Sequence, residues 1–269
     1  MLVGMLPLSV LAKTDDTISL DISEGSITIE NGTNAYTFKV TQGSNTADNI
    51  DPLTIFEISG TTTSNSVTVS ANQIYNDTPF PVKITLNGVN IDVSGTSNAN
   101  AFYLTNNTTV NMTLYNSNTL KSGFCKEGLS APNGTTLTVS SSSTGTLNAV
   151  GGGYGAGIGS GQYGYSGTVI INGGTITATG GAFAAGIGSG REGSCGTVII
   201  NGGTVTAQGG SRGAGIGGGI RSSGGTIIIN SGIIAGSIGF ESFSETDSSA
   251  SYETGICSSI SSSCLSISS

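Results

Sequence analysis

Three near-identical heptapeptides, GAGIGSG at 155–161, AAGIGSG at 184–190 and GAGIGGG at 213–219, put Ile158, Ile187 and Ile216 at equal steps of 29 residues. A second block keeps that step: GTVIINGGTITATGG at 167–181, GTVIINGGTVTAQGG at 196–210 and GTIIINSGIIAGSIG at 225–239. Weaker copies run back through GTLNAVGG at 145–152, NTLKSG at 118–123 and NIDVSG at 90–95. They align Ile91, Leu120, Leu147, Ile176, Val205 and Ile234 at steps of 29, 27, 29, 29 and 29. A fixed period of this length marks a unit that cannot bury its apolar face alone and must stack on its neighbours. The equal step therefore dictates a solenoid.

Inside each unit the pattern has period two, with Val169 and Ile171 pointing one way and Thr168 and Ile170 the other. The degenerate copies Leu137-Thr138-Val139, Met112-Thr113-Leu114 and Ile84-Thr85-Leu86 keep apolar residues around a central threonine. Positions 169 and 171 therefore face a core and position 170 faces out. By the same alternation Ile176 and Ala178 face in, while Thr175, Thr177 and Thr179 face out. Each unit then holds three short strands, around AGIG, TVII and TITAT, with Gly-Gly pairs supplying the positive φ that tight corners need. Pairing each strand with its equivalent one turn on, about 4.8 Å away, predicts an all-β fold. It is a right-handed parallel β-helix of seven or more rungs, each about 29 residues long. Asn172, Asn201 and Asn230 recur at one corner and are expected to bond amide to amide up the stack. A helical repeat is excluded by 32 glycines in residues 151–240 and by the β-branched apolar positions.

The repeat region spans 83–269, with a loop insertion near 240–251. YETGICSS at 252–259 resembles YGAGIGSG at 154–161. That likeness places Ile256 in the Ile158 column and Leu265 and Ile267 in the Val169 and Ile171 columns. Residues 13–82 read as an N-terminal cap with early irregular rungs: TISLDI, SITIEN, YTFKVT, LTIFEIS and SVTVSA are strand-like, broken at Pro52, Pro79 and Pro81. Residues 1–12 are uncharged and mostly apolar, with Val10 and Ala12 where a signal peptidase prefers small residues. They read as a signal-peptide remnant and predict a secreted or surface protein without membrane insertion. Four cysteines, Cys125, Cys195, Cys257 and Cys264, permit two disulfides in three pairings or stay free; Cys257 and Cys264 are close enough in sequence to pair.

Charge narrows the chemistry. Only 9% of residues are charged and the net charge is −8, which excludes a nucleic-acid partner needing a basic field. There is no histidine, so histidine-dependent catalysis and imidazole metal sites are excluded. Residues 131–240 hold one carboxylate, Glu192, and three arginines, Arg191, Arg212 and Arg221. Glycoside hydrolysis needs two facing carboxylates. A Gly159–Gly164 match to G-x-G-x-x-G precedes a strand and opens no helix, so a dinucleotide site is rejected. The chain is expected to be non-catalytic, with no cofactor and no metal.

The VKITLNGVNIDVSG, NTLKSG and GAGIGSG…GTVIINGGTITATGG blocks resemble repeats of bacterial cell-surface proteins of the pectate-lyase-like, right-handed β-helix type. The resemblance covers roughly residues 83–269 and implies a module that binds carbohydrate. Pectate lyases of that superfamily need acidic calcium ligands beside an arginine base, and the repeats supply no such set.

Candidate ligand-binding residues come from positions that vary against the Gly/Ala/Ile background. Tyr154, Phe183 and Arg212 share one repeat position; Gln162, Arg191 and Ile220 share another; Tyr163, Glu192 and Arg221 adjoin it. Rings that stack and planar groups that make bidentate hydrogen bonds are what sugars use. The expected partner is a polysaccharide or cell-surface glycan, held weakly and without metal over several rungs. A net charge of −8 favours a neutral one. The alternative is a structural stalk or adhesin spacer with no ligand, which would leave these side chains splayed apart. A polysaccharide lyase or an ice-binding face of outward threonines ranks below both.

Overall fold

The structure is a computed structural model and describes residues 17–75, 78–105, 107–236 and 238–239. The expected leader, Cys257, Cys264, Ile256, Leu265, Ile267 and the 240–251 insertion lie outside the described residues.

The chain winds as a parallel β-solenoid whose strands form three columns. Column one stacks Ile27–Asn31, Val67–Val69, Phe102–Leu104, Leu129–Ser130, Ile158–Gly159, Ile187–Gly188, Ile216–Gly217 and Ile238–Gly239. Column two stacks Thr17–Asp21, Ile55–Thr62, Val82–Asp92, Thr109–Tyr115, Thr136–Val139, Thr168–Ile171, Thr197–Ile200 and Thr226–Ile229. Column three holds Ser117–Lys121, Thr146–Val150, Thr175–Thr179, Thr204–Gln208 and Ile233–Ala235. From Val82 onward the turns follow the repeat, and the predicted register holds: Ile158 pairs with Ile187 and Ile187 with Ile216, while Val169, Val198 and Ile227 form one file and Ile171, Ile200 and Ile229 another. These side chains are buried, as are Ile176 and Ala178. Each such isoleucine removed from water contributes about 1.5–3 kcal/mol.

The corner between columns two and three is built as the repeat predicts. Asn201 donates from Nδ2 to Asn172 Oδ1 (2.8 Å) and Asn230 to Asn201 (2.7 Å). Gly174 and Gly203 take φ of 79° and 84° beside them. Two turns from the N-terminal side do without the Gly-Gly turn. Ile55–Thr62 and Val82–Asp92 run through both columns as single strands, with a register shift between Ile58 and Gly60.

The irregular first part contains two rungs and a closure. The antiparallel strands Phe38–Gln42 and Asn45–Ile50 add to the outer edge of Ile27–Asn31. This hairpin inserts Phe38 and Val40 into the core and ends the parallel stacking on that side.

Two alignments change. Leu120 pairs with Ala149, and Asn118 with Leu147, so the 27-residue step from Leu120 to Leu147 crossed from one inward file to the other. The cause is an amide in an apolar place: Asn118 is fully buried in the Val89–Leu147 file. It accepts the Val89 N–H (2.9 Å) and donates to the Tyr115 and Thr146 carbonyls (2.9 and 3.0 Å). Three hydrogen bonds let it stand where a leucine would. The strand after Ile216–Gly217 in column one is Ile238–Gly239, where Ile216 pairs with Ile238 only 22 residues on; the chain passes from Ala235 to column one without the long corner of the earlier turns.

Candidate functional site

Column-one strands are two residues long in the regular turns, so the corners on either side of them lie close together. Backbone bonds join these corners across successive turns. The Gln162, Arg191 and Ile220 amides donate to the Cys125, Tyr154 and Phe183 carbonyls at 3.1, 3.0 and 3.0 Å. That stitching turns two separate sequence ladders into one strip along the axis.

All seven candidate residues lie on it. The Tyr154 and Phe183 rings are 5.5 Å apart between centroids, and the Arg212 guanidinium lies over Phe183 at 5.8 Å. Arg191 reaches back over Tyr154 (5.1 Å) while its Nε and NH2 donate to Glu192 Oε1 at 2.9 and 2.8 Å. Arg221 approaches the same oxygen from the next turn at 3.6 Å. The pairing with Glu192 holds the Arg191 guanidinium above its ordinary pKa. Tyr163 is 61% exposed, and its N–H donates to the Arg191 carbonyl (2.9 Å). Side-chain contacts thus link Tyr154, Phe183 and Arg212, and join Glu192 and Arg221 to them through Arg191, while Tyr163 is tied in by its backbone.

Tyr163, Glu192 and Arg221 also share a backbone conformation. Their φ values are 59°, 57° and 55°. They occupy the third place of the turns Gly161–Gly164, 190–193 and Gly219–Ser222, where a β-turn with positive φ ordinarily takes glycine. Strain at the same place in three consecutive turns, in a chain with 44 glycines, points from backbone geometry toward use of the side chains.

Three neighbours were not found by periodicity. Phe124 is half-exposed and packs against Tyr154 at 4.7 Å between centroids, tilted by 58°, extending the ring ladder by one turn. By register Cys125 is the equivalent of Tyr154, so the ring comes from one position earlier. Its seat is Gly153, where a Cβ would lie 2.5 Å from the Phe124 ring. Cys125 donates from Sγ to Gln162 Oε1 (3.3 Å) and is a free thiol. Cys195, on a different turn, is also free, and burial pushes its thiol up to about 12.

Glu127 is the third, a buried carboxyl beneath Gly161. It fills the place of Ala156, Ala185 and Ala214, whose amides donate to carbonyls of their own corners. In its turn the carboxyl lies near the Glu127 amide and the Ser130 hydroxyl, and the hydroxyl is outside hydrogen-bond geometry. Burial pushes the Glu127 carboxyl above its ordinary 4.5. An acid that binds its proton more tightly when folded lends most stability below pH 4.5, and loses it as pH rises through the raised value. Glu127→Gln is therefore expected to raise the melting temperature at pH 8 and to change it little at pH 4. Equal effects at both pH values would show that burial does not govern this carboxyl.

Among the described residues no group of three or more His, Cys, Asp or Glu side chains could hold a metal ion, and no helix is long and apolar enough to cross a membrane. A family model described as a beta helix repeat matches residues 169–191 and 198–220, two consecutive turns that each carry one arm of the strip. No curated protein matches the chain, and no solved structure matches it. The matched family and the stacking together make this a right-handed parallel β-helix repeat.

Proposed function

We propose that the chain is a non-catalytic β-helix module of a secreted or cell-surface protein, and that it binds a polysaccharide lengthwise along the strip. The observation that carries this reading is the retention of Tyr163, Glu192 and Arg221 in a left-handed conformation beside the Phe124–Tyr154–Phe183 ladder. A spacer has no use for large side chains where glycine would sit without strain. Rings on successive turns offer stacking surface at a repeat close to one sugar residue, and the planar guanidinium groups offer paired donors. Secretion rests on the apolar leader of the sequence, and the lack of catalysis on chemistry. Glu192 is engaged by two arginines, and Glu127 is enclosed in the core.

Binding spread over several turns should tighten with ligand length through effective concentration. Titrating oligosaccharides of increasing length, with and without chelator, is expected to give rising affinity and no chelator effect. Tyr154→Ala is expected to weaken binding about tenfold, the loss of roughly 1.4 kcal/mol of stacking. A tight monosaccharide site, or binding abolished by chelator, overturns the lengthwise reading; no binding at any length leaves the stalk.

A further inference from the structure

The strip has a charge of its own. All three arginines of the chain, Arg191, Arg212 and Arg221, lie on it with a single carboxylate, Glu192. Three positive charges less one negative give +2, on a protein whose net charge is −8. The other acidic residues among those described lie before residue 131; of these the buried Glu127 carboxyl, raised above its ordinary range by burial, lies beneath Gly161. The expectation of a neutral ligand rested on whole-chain charge, which a Debye length of about 8 Å makes a poor guide to one face. What a ligand meets here is the local field.

The geometry of the cations is specific. Arg191 and Arg221 both converge on Oε1 of Glu192, so one anionic oxygen serves two guanidinium groups. Arg212 is exposed, has its guanidinium over the Phe183 ring at 5.8 Å, and has no carboxylate within 4 Å among the described residues. A guanidinium lying on an aromatic face keeps its N–H edges for an in-plane acceptor. In its column Phe183 lies one turn away and Tyr154 two turns away.

We propose that the strip recognises an anionic polysaccharide, its sugar faces on the Phe124–Tyr154–Phe183 ladder and its carboxylate or sulfate groups on Arg212 and the Arg191–Glu192–Arg221 cluster. This rests on the glycan-binding reading and adds the charge of the ligand to it. Recognition is through guanidinium forks and needs no bridging cation.

The test uses four probes on the whole chain by calorimetric titration at about 0.15 M salt: cellohexaose, the β-1,4-linked glucuronic acid hexamer, sulfated cellohexaose, and polyglycerol phosphate, which has charge but no sugar rings. The expected result is that an acidic hexamer binds at least about tenfold more tightly than cellohexaose, the equivalent of one charge-assisted hydrogen bond. Arg212→Gln is expected to remove most of that difference, and Phe183→Ala to weaken every ring-bearing probe. The glucuronic acid and sulfated arms separate carboxylate from sulfate. Cellohexaose binding as tightly as both acidic hexamers overturns the anionic inference and leaves glycan binding standing. Polyglycerol phosphate binding equally well, with Phe183→Ala without effect, makes the strip a plain polyanion surface and overturns it too. Failure of all four probes removes the glycan reading itself.

Discussion

Ile187→Asp is expected to abolish cooperative folding of the central turns, while Ile199→Asp, twelve residues on, leaves the protein folded. Ile187 is fully buried and pairs with Ile158 below and Ile216 above. A carboxylate there has no cation to meet and no water, a loss of several kcal/mol even after protonation relieves part of it. Turns touch mainly their neighbours, so the damage should spread outward from the central turn as a local unstacking. Ile199 belongs to a file of outward isoleucines, Ile170, Ile199 and Ile228, and an aspartate there changes only strand preference, by about 1 kcal/mol. Circular dichroism melts of the two variants decide the matter. Equal damage from both would mean that the inside and outside of column two have been exchanged.

The second large effect runs against the usual direction of mutation. Replacing Tyr163, Glu192 and Arg221 together by glycine is expected to stabilise the protein and remove its ligand binding. Each holds φ between 55° and 59°, which strains an L-residue by about 1–2 kcal/mol. Glycine relieves this but adds about 0.4–1 kcal/mol of entropy to the unfolded chain. The net gain is near 0.5–1 kcal/mol per position, or roughly 2 kcal/mol for three. The Glu192 ion pairs that disappear are partly exposed and contribute little. Thermal melts and glycan titration on the same variant read both halves. A triple variant that is less stable and binds as before would make these side chains structural and sink the functional argument.

Much of the architecture is written into the sequence because a solenoid translates one local pattern into every turn. The inward pairs Val169/Ile171 and Ile176/Ala178, the Ile158 file and the Asn172 ladder all follow from period two within a period of 29. What periodicity misses is substitution by a different means. Asn118 stands in an apolar file because three backbone groups reach its amide. Phe124 supplies a ring from the position before the expected one, because Gly153 leaves room for it. Glu127 replaces an alanine and buries a carboxyl there. The convergence of the two candidate ladders was legible only as adjacency in the repeat. Their union depends on corners stitched between successive turns, a contact about 37 residues apart that no repeat position announces. Of the early hairpin only Phe38–Gln42 reads as a strand, within YTFKVT; the mostly polar Asn45–Ile50 does not, and antiparallel pairing leaves no mark in an alternating pattern.

Pairing every strand with its counterpart one turn away has a mechanical meaning. The hydrogen bonds that join turns run along the axis, so tension applied at the two ends of the stack pulls on one layer of them at a time. Turns should then peel off singly, each paying out its stored contour length. Twenty-nine residues correspond to about 100 Å of extended chain, released from a layer about 5 Å thick. In the stretch from Thr168 through Thr197 to Thr226 the increments are equal, one repeat each. Before it they are uneven, with 27 residues separating Thr109 from Thr136 and 32 separating Thr136 from Thr168. A force–extension trace of this protein would thus be a ruler with regular graduations at one end and irregular ones at the other. Each graduation would cushion a sudden pull by lengthening and leave the remaining turns stacked.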